Sequence, residues 1–182
     1  SSTKTELASH KKIVGYFPEW GVYSAHNNYA PSDTPFDKLT HINYAFARII
    51  DGKIAIFDDW AATGITFGEA WDSQYKGNLG QFKKFKSSYP DTSVLISVGG
   101  WTQSAGFHEA SLSEANRKKF ANSCLAFIRQ WDFDGVDIDW EFPTQVRQPD
   151  TIDTAGDTGT PYADAGEKQT FTLLLKTIRE TL

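Results

Sequence analysis

The chain has 182 residues, 40% of them hydrophobic and 14% aromatic, which suffices for one packed domain and is too little for two large ones. Lys and Arg number 18 against 23 Asp and Glu, and the resulting net charge of -5 argues against a nucleic-acid partner. The longest apolar runs, such as residues 94–98, fall far short of a membrane span, and no charged-then-apolar leader opens the sequence at Ser1, so a soluble globular domain with no membrane partner is expected.

In chain order, the first strand signal is Lys12 to Phe17, closed by Pro18 and followed by a polar loop from Glu19 to Pro35. A second strand is expected over Thr40 to Ala47. Arg48-Ile49-Ile50 and Lys53 to Phe57 flank Asp51-Gly52, a two-residue hairpin turn signal. Residues 58–76, rich in Trp, Asp and Gly, read as an irregular insertion, after which Leu79, Phe82 and Phe85 begin a helical period. Lys83, Lys84 and Lys86 fall on that helix. Thr92 to Val98 is a near-continuous apolar run, the kind of strand found when both faces are covered. It runs into Gly99-Gly100-Trp101.

Ser111-Leu112-Ser113-Glu114 fits a capping box, opening an amphipathic helix that carries Phe120, Cys124, Phe127, Ile128 and Trp131. Cys124 is the only cysteine, so no disulfide forms within the chain, and its helical spacing suggests a buried small hydrophobe. Next comes the strand Phe133 to Phe142. A long polar loop from Pro143 to about Ala163 leads to a final helix with Phe171, Leu174, Leu175 and Ile178.

Strands separated by helices imply right-handed crossovers and a parallel sheet. Of the two α/β architectures compatible with this order, a doubly wound sheet would carry a phosphate-cradling Gly pattern after its first strand, and Gly15-Tyr16-Phe17-Pro18 is no such pattern. A (β/α)8 barrel of the TIM type is preferred, with Tyr16, Phe46, Trp101 and Glu141 at or just beyond C-terminal strand ends, where barrels place their active residues. The chain would supply about its first four βα units, since a full barrel needs about 250 residues.

The segment Gly135-Val136-Asp137-Ile138-Asp139-Trp140-Glu141 sets an acid at every second position. In a strand, Asp137, Asp139 and Glu141 would line one face at spacings of roughly 6.6 Å, with Val136, Ile138 and Trp140 on the other. Like charges this close raise one another's pKa and tend to share protons, which keeps a carboxyl available as a general acid. Asp137 would lie deepest and stay neutral, and Glu141 nearest the cleft. A divalent cation is the rival reading for clustered carboxylates, but Gly135 precedes the acids instead of following them as in a calcium loop. The His residues at positions 10, 26, 41 and 108 lack metal-binding pair spacing, and no metal is expected.

The residues also resemble a known family. Asp134 to Glu141 matches the DxxDxDxE signature of glycoside hydrolase family 18, the chitinases, and Ser97-Val98-Gly99-Gly100-Trp101 matches its SxGG element. Gly15 to Tyr23 is similar to the opening strand of bacterial chitinase A type enzymes. The resemblance covers essentially the whole chain, residues 1–182, as a partial catalytic domain with 1–11 an irregular lead-in. It implies retaining, substrate-assisted hydrolysis of chitin or chitooligosaccharides, without cofactor, by a secreted protein.

By the same resemblance Glu141 would be the general acid and base, Asp139 would orient the acetamido group, and Asp137 would share a proton with it. Tyr16 and Ser97 would bond the inner carboxylates, Trp20 and Trp101 would stack on sugars, Phe46 would support the cleft floor, and Gly100 would join the substrate-binding set. Trp60, Trp71 and Trp131 are expected to be structural, and Asp134 to serve its turn. The family's later strands contribute a Tyr-Asp pair and a Trp that would lie beyond Leu182. The C-terminal half of the barrel is therefore the expected partner, and the isolated chain is expected to be weakly active or inactive. A non-catalytic sugar-binding protein and an endo-β-N-acetylglucosaminidase acting on N-glycans are the alternatives.

Overall fold

A computed structural model describes residues 11–182; apart from Lys11, the expected lead-in lies outside the described residues. Five strands form, β1 (Val14–Pro18), β2 (His41–Ile50), β3 (Lys53–Ala55), β4 (Ser93–Gly100) and β5 (Gly135–Trp140). The α-helices are α1 (Gly77–Lys86), α2 (Gly106–Leu112), α3 (Glu114–Trp131) and α4 (Glu167–Thr181). The sheet runs β1-β2-β4-β5, with β3 hairpinned antiparallel onto β2. β1 and β2 are parallel, Tyr16 facing Asn43 and Phe17 facing Tyr44. Helices bridge β3 to β4 and β4 to β5, as the parallel reading requires.

Where the sequence and the structure differ, the reasons are local. The polar loop expected between β1 and β2 has no α-helix but winds into four 3-10 turns, because Gly21, Pro31 and Pro35 interrupt any longer helix. β1 begins at Val14 instead of Lys12, and β4 continues through Gly100. Ser111 does not cap a helix: it is buried in α2, and the hydroxyl that accepts the Asn116 N–H at 3.1 Å to start α3 belongs to Ser113. The Asp51-Gly52 turn has φ of 50° and 68°, the paired left-handed geometry that a two-residue hairpin uses.

The described chain divides into two compact units, the first comprising residues 11–45, 58–95 and 131–135 and the second residues 46–57, 96–130 and 136–182. The core of the first unit is aromatic: Phe82 meets Phe17 edge-on at 4.9 Å and Tyr44 at 5.8 Å, and Phe36 stacks on Tyr89 at 5.0 Å. Asp134 fastens the start of β5 there, its carboxylate accepting the Val94 N–H at 2.7 Å and a proton of the Lys86 ammonium at 2.8 Å. Trp60 and Trp71 are not core residues, at 56% and 75% exposure. Trp60 lies over Gly64 one π-helical turn later, and Trp71 takes the Lys76 ammonium on its ring face at 4.3 Å.

The second unit packs α2, α3 and α4 around Phe107, which stacks on Trp140 at 5.5 Å and meets Phe120 edge-on at 5.9 Å. Cys124 is fully buried there, and burial pushes its thiol up to about 12, so it is inert filler. A buried His108–Glu167 pair links α2 to α4. Among the described residues no helix is long and apolar enough to cross a membrane.

Immediately after β1, the first unit buries a carboxyl that the sequence reading left in a polar loop. Glu19 is 2% exposed; its carboxyl accepts the Tyr44 hydroxyl at 2.9 Å and the Asp58 N–H at 3.2 Å. Burial raises its pKa to about 8, so it is uncharged at neutral pH. In the unfolded chain it ionises near the ordinary value of 4.5. The stability it contributes is therefore complete below pH 4.5 and is lost as pH climbs through 8. Thermal melting across that window should show a falling midpoint that Glu19→Gln flattens; a Gln variant with the parent's pH dependence would contradict the assignment.

Candidate active site

β5 carries Asp137 and Asp139, and Glu141 stands just past its last residue instead of inside a strand reaching Phe142; the three acids are partly buried at alternate positions, with Trp140 between them buried. Across to β4, Ser97 donates its hydroxyl to Asp137 at 2.7 Å. The pairing keeps the 40-residue offset already set at Val94 and Asp134, so β4 and β5 advance together toward their C-terminal ends.

The Gly-Gly pair that ends β4 exists because of what lies against it. A Cβ on Gly99 would stand 2.3 Å from the Asp139 carbonyl oxygen, and one on Gly100 would stand 2.7 Å from the Phe46 ring. Both have positive φ, 108° and 75°. Only glycine lets β4 approach β5 this closely beside the central acid while seating Phe46 against the backbone.

A second anchor comes from Ser104, which is fully buried. Its hydroxyl accepts the Glu141 N–H at 2.9 Å and directs its proton to the Gly100 carbonyl at 2.7 Å or the Asp139 carbonyl at 3.0 Å. Three residues beyond Glu141, the Thr144 N–H donates to Glu167 at 2.6 Å. The backbone bearing Glu141 is thus held on both sides; the Glu141–Phe142 peptide is cis.

Burial raises the pKa of Asp139, and the neighbouring Asp137 charge adds to it, whereas a hydrogen bond from Glu141 works the other way. Burial also raises Glu141, followed by the charge of Asp139; Arg147 opposes, and the hydrogen bond to Asp139 favours the protonated acid. The chemical outcome is directional. Burial, the Asp139 charge and that hydrogen bond all favour the protonated form of Glu141, the form a general acid needs to deliver a proton to a leaving group. Among the described residues no group of three or more His, Cys, Asp or Glu is arranged to hold a metal ion.

Phe46, Ser97, Gly100, Trp101 and the three acids all lie in the second unit. Trp101 is 40% exposed just beyond β4, and its indole N–H donates to Asp150 at 2.9 Å. Tyr16 and Trp20 belong to the first unit, where both are exposed, Tyr16 on β1 and Trp20 in the 3-10 turn that follows it. Sequence reasoning missed Ser104, Arg147, Asp150 and Asp157. A lone serine and three charges in a polar loop carry no periodic signal.

The profile of Glycosyl hydrolases family 18 matches residues 12–182. The chain belongs to glycoside hydrolase family 18. Within that family it is 38% identical to Chitinase A1 of Niallia circulans, over 97% of this chain and 28% of the relative, and 34% identical to Chitinase 1 of Aphanocladium album, over 92% and 36%. Among solved structures, Chitinase ChiA74 from Bacillus thuringiensis superposes with a TM-score of 0.79 at 34% identity, covering 94% of this chain and 32% of that one. The catalytic domain of psychrophilic chitinase B from Arthrobacter TAD20 gives 0.80 at 27% identity, over 96% and 48%. The family 18 fold is a (β/α)8 barrel of which this chain forms a part, and it spans about a third of the length of the first relatives it matches.

The close approach at Gly99 can be measured against a glycine in open space. Gly156 also has positive φ, 84°, but a Cβ there meets nothing within 4 Å. Gly156→Ala should cost about 1 kcal/mol from backbone strain alone, and Gly99→Ala roughly 2–3 kcal/mol more through collision with β5. Chemical denaturation compares them; equal losses would refute the steric role of Gly99.

Proposed function

We propose that this chain is the acid-bearing part of a chitinase, hydrolysing β-1,4-linked N-acetylglucosamine polymers with retention through the substrate's own acetamido group. The observation that carries the reading is the row of three acids along β5 and just past its end, with Ser97 bonded to Asp137 and burial and Asp139 both pushing Glu141 toward its protonated form. Family membership and the named chitinases among the relatives support it.

In the first step the acetamido oxygen forms a bond to the anomeric carbon while the glycosidic C–O bond breaks. The departing oxygen keeps the electron pair and takes the Glu141 proton. Asp139, now relieved of the Glu141 hydrogen bond, accepts one from the acetamido N–H and faces the positive oxazolinium ion that forms. Asp137, held by the Ser97 hydroxyl, stands behind Asp139 in the row. In the second step the Glu141 carboxylate removes a proton from water, whose oxygen attacks the anomeric carbon and reopens the ring; Glu141 recovers its proton.

Trp101 presents an apolar indole face to sugar C–H groups with Phe46 and Gly100 beside it, and Tyr16 and Trp20 keep the binding roles that the family resemblance implies for them. No cofactor enters the scheme. The remainder of the barrel completes the cleft, so the activity belongs to an enzyme of the length its relatives have, acting outside the cell on a polymer too large to enter.

In a complete enzyme carrying this chain, Glu141→Gln should lower chitooligosaccharide turnover by roughly 100-fold or more while leaving oligosaccharide binding largely intact. Unchanged turnover would disprove the acid assignment. Assay of a high-mannose glycoprotein alongside the chitin oligomers separates a chitinase from an endoglycosidase acting on N-glycans: cleavage of the glycoprotein alone would overturn the substrate assigned here. A parent enzyme that binds sugar and hydrolyses neither would be a sugar-binding protein.

A further inference from the structure

The loop that follows Glu141 is built around one buried ion pair. Arg147 meets Asp157 in a two-pronged contact, its terminal nitrogens 2.7 and 2.8 Å from the two carboxylate oxygens, with side chains only 7% and 3% exposed. Arg147 and Thr160 also exchange backbone hydrogen bonds of 3.0 and 2.8 Å, closing the loop at its base. Asp157 accepts two further N–H groups, from Asp150 at 2.7 Å and Gly159 at 3.0 Å. A buried ion pair gives little net stability over apolar packing of the same volume, but the planar guanidinium fork fixes orientation.

What it orients is Trp101. The Arg147 guanidinium lies 5.0 Å from the indole centroid, over one face of the ring. Asp150, whose backbone is fixed by Asp157, accepts the indole N–H with one carboxylate oxygen while the other receives the N–H groups of Ile152 and Asp153 at 3.2 Å. Phe142 meets the indole edge-on at 6.5 Å, and the Thr102 hydroxyl, next in sequence, pairs with Thr154 of the same loop at 3.1 Å. The indole is thus gripped at its polar edge and on one face, yet it remains 40% exposed.

We propose that Arg147, locked by Asp157 and acting with Asp150, is a positioning residue that fixes the Trp101 indole so that its uncovered face is presented to a pyranose ring. Only the identity of that ring rests on the function proposed above. A side chain held in its bound orientation loses less freedom on binding, so the clip acts chiefly on affinity. The same guanidinium sits within electrostatic reach of Glu141 and opposes the upward push from burial and Asp139, tying the stacking platform to the acid.

The test uses indole hydrogen exchange, followed by NMR on a nitrogen-15-labelled complete enzyme carrying this chain, with chitotetraose titration as a second readout. In Arg147→Gln and Asp150→Ala the Trp101 indole proton should exchange about ten times faster while that of buried Trp140 is unaltered, and chitotetraose affinity should fall roughly 3- to 30-fold. Arg147→Lys keeps the charge without the fork and should loosen Trp101 as Gln does. Should Arg147→Gln not fold, Asp150→Ala, which leaves the buried pair intact, carries the test. Unchanged Trp101 exchange and affinity in the folded variants would overturn the proposal. Faster Trp101 exchange in a chain whose parent does not bind chitotetraose would uphold the positioning role and count against the sugar reading.

Discussion

Negative charge crowded on one side of β5 is the constraint around which the second unit is arranged. Asp137, Asp139 and Glu141 project from alternate positions of a strand whose opposite side is pinned by Trp140 against Phe107. The strand therefore cannot rotate its acids away from one another. The charge is relieved chemically, by protonation and hydrogen bonding: Ser97 donates to Asp137, and Glu141, raised by burial and by Asp139, donates to Asp139. Gly99 admits the Asp139 carbonyl at close range, and Ser104 receives the Glu141 N–H. Each contact fixes a position along the row from the strand interior to its open end.

The row's own periodicity made it readable in the sequence, because alternating Asp and Glu among Val, Ile and Trp has few structural uses. The hairpin at Asp51-Gly52 was legible as a pair of residues whose backbone geometry few others adopt, whereas the glycines that end β4 stood out through the SxGG resemblance. Three of the four described α-helices were visible from their apolar spacing, but the short α2 was not, and the start of α3 was misplaced: Ser111 fits a capping box, yet it is buried in α2 and Ser113 accepts the Asn116 N–H.

What escaped the sequence depends on contacts between residues far apart in the chain or within irregular loops. Glu19 looks like a loop acid, and its burial follows from Tyr44 and Asp58, residues 25 and 39 positions away. Ser104 reaches the end of a strand 37 residues later. Arg147, Asp150 and Asp157 occupy a polar loop with no period, so nothing local separates a two-pronged buried pair from a solvated one. Trp60 and Trp71, expected to be structural, lie at the surface, where Trp60 covers Gly64 and Trp71 takes the Lys76 ammonium.

The proposed acid role needs Glu141 to hold its proton more tightly than an ordinary glutamate, with the Asp139 charge as one cause, and this can be observed without any turnover. Carbon-13 NMR of labelled glutamate carboxyls, followed through a pH titration in the parent and in Asp139→Asn, measures it directly. Glu141 should titrate above its ordinary value of 4.5 in the parent, and its midpoint should fall when the neighbouring charge is removed, because burial is then opposed by Arg147 without the support of Asp139. A Glu141 that titrates at the ordinary value, or at the same pH in both proteins, would contradict the coupling on which the acid assignment stands.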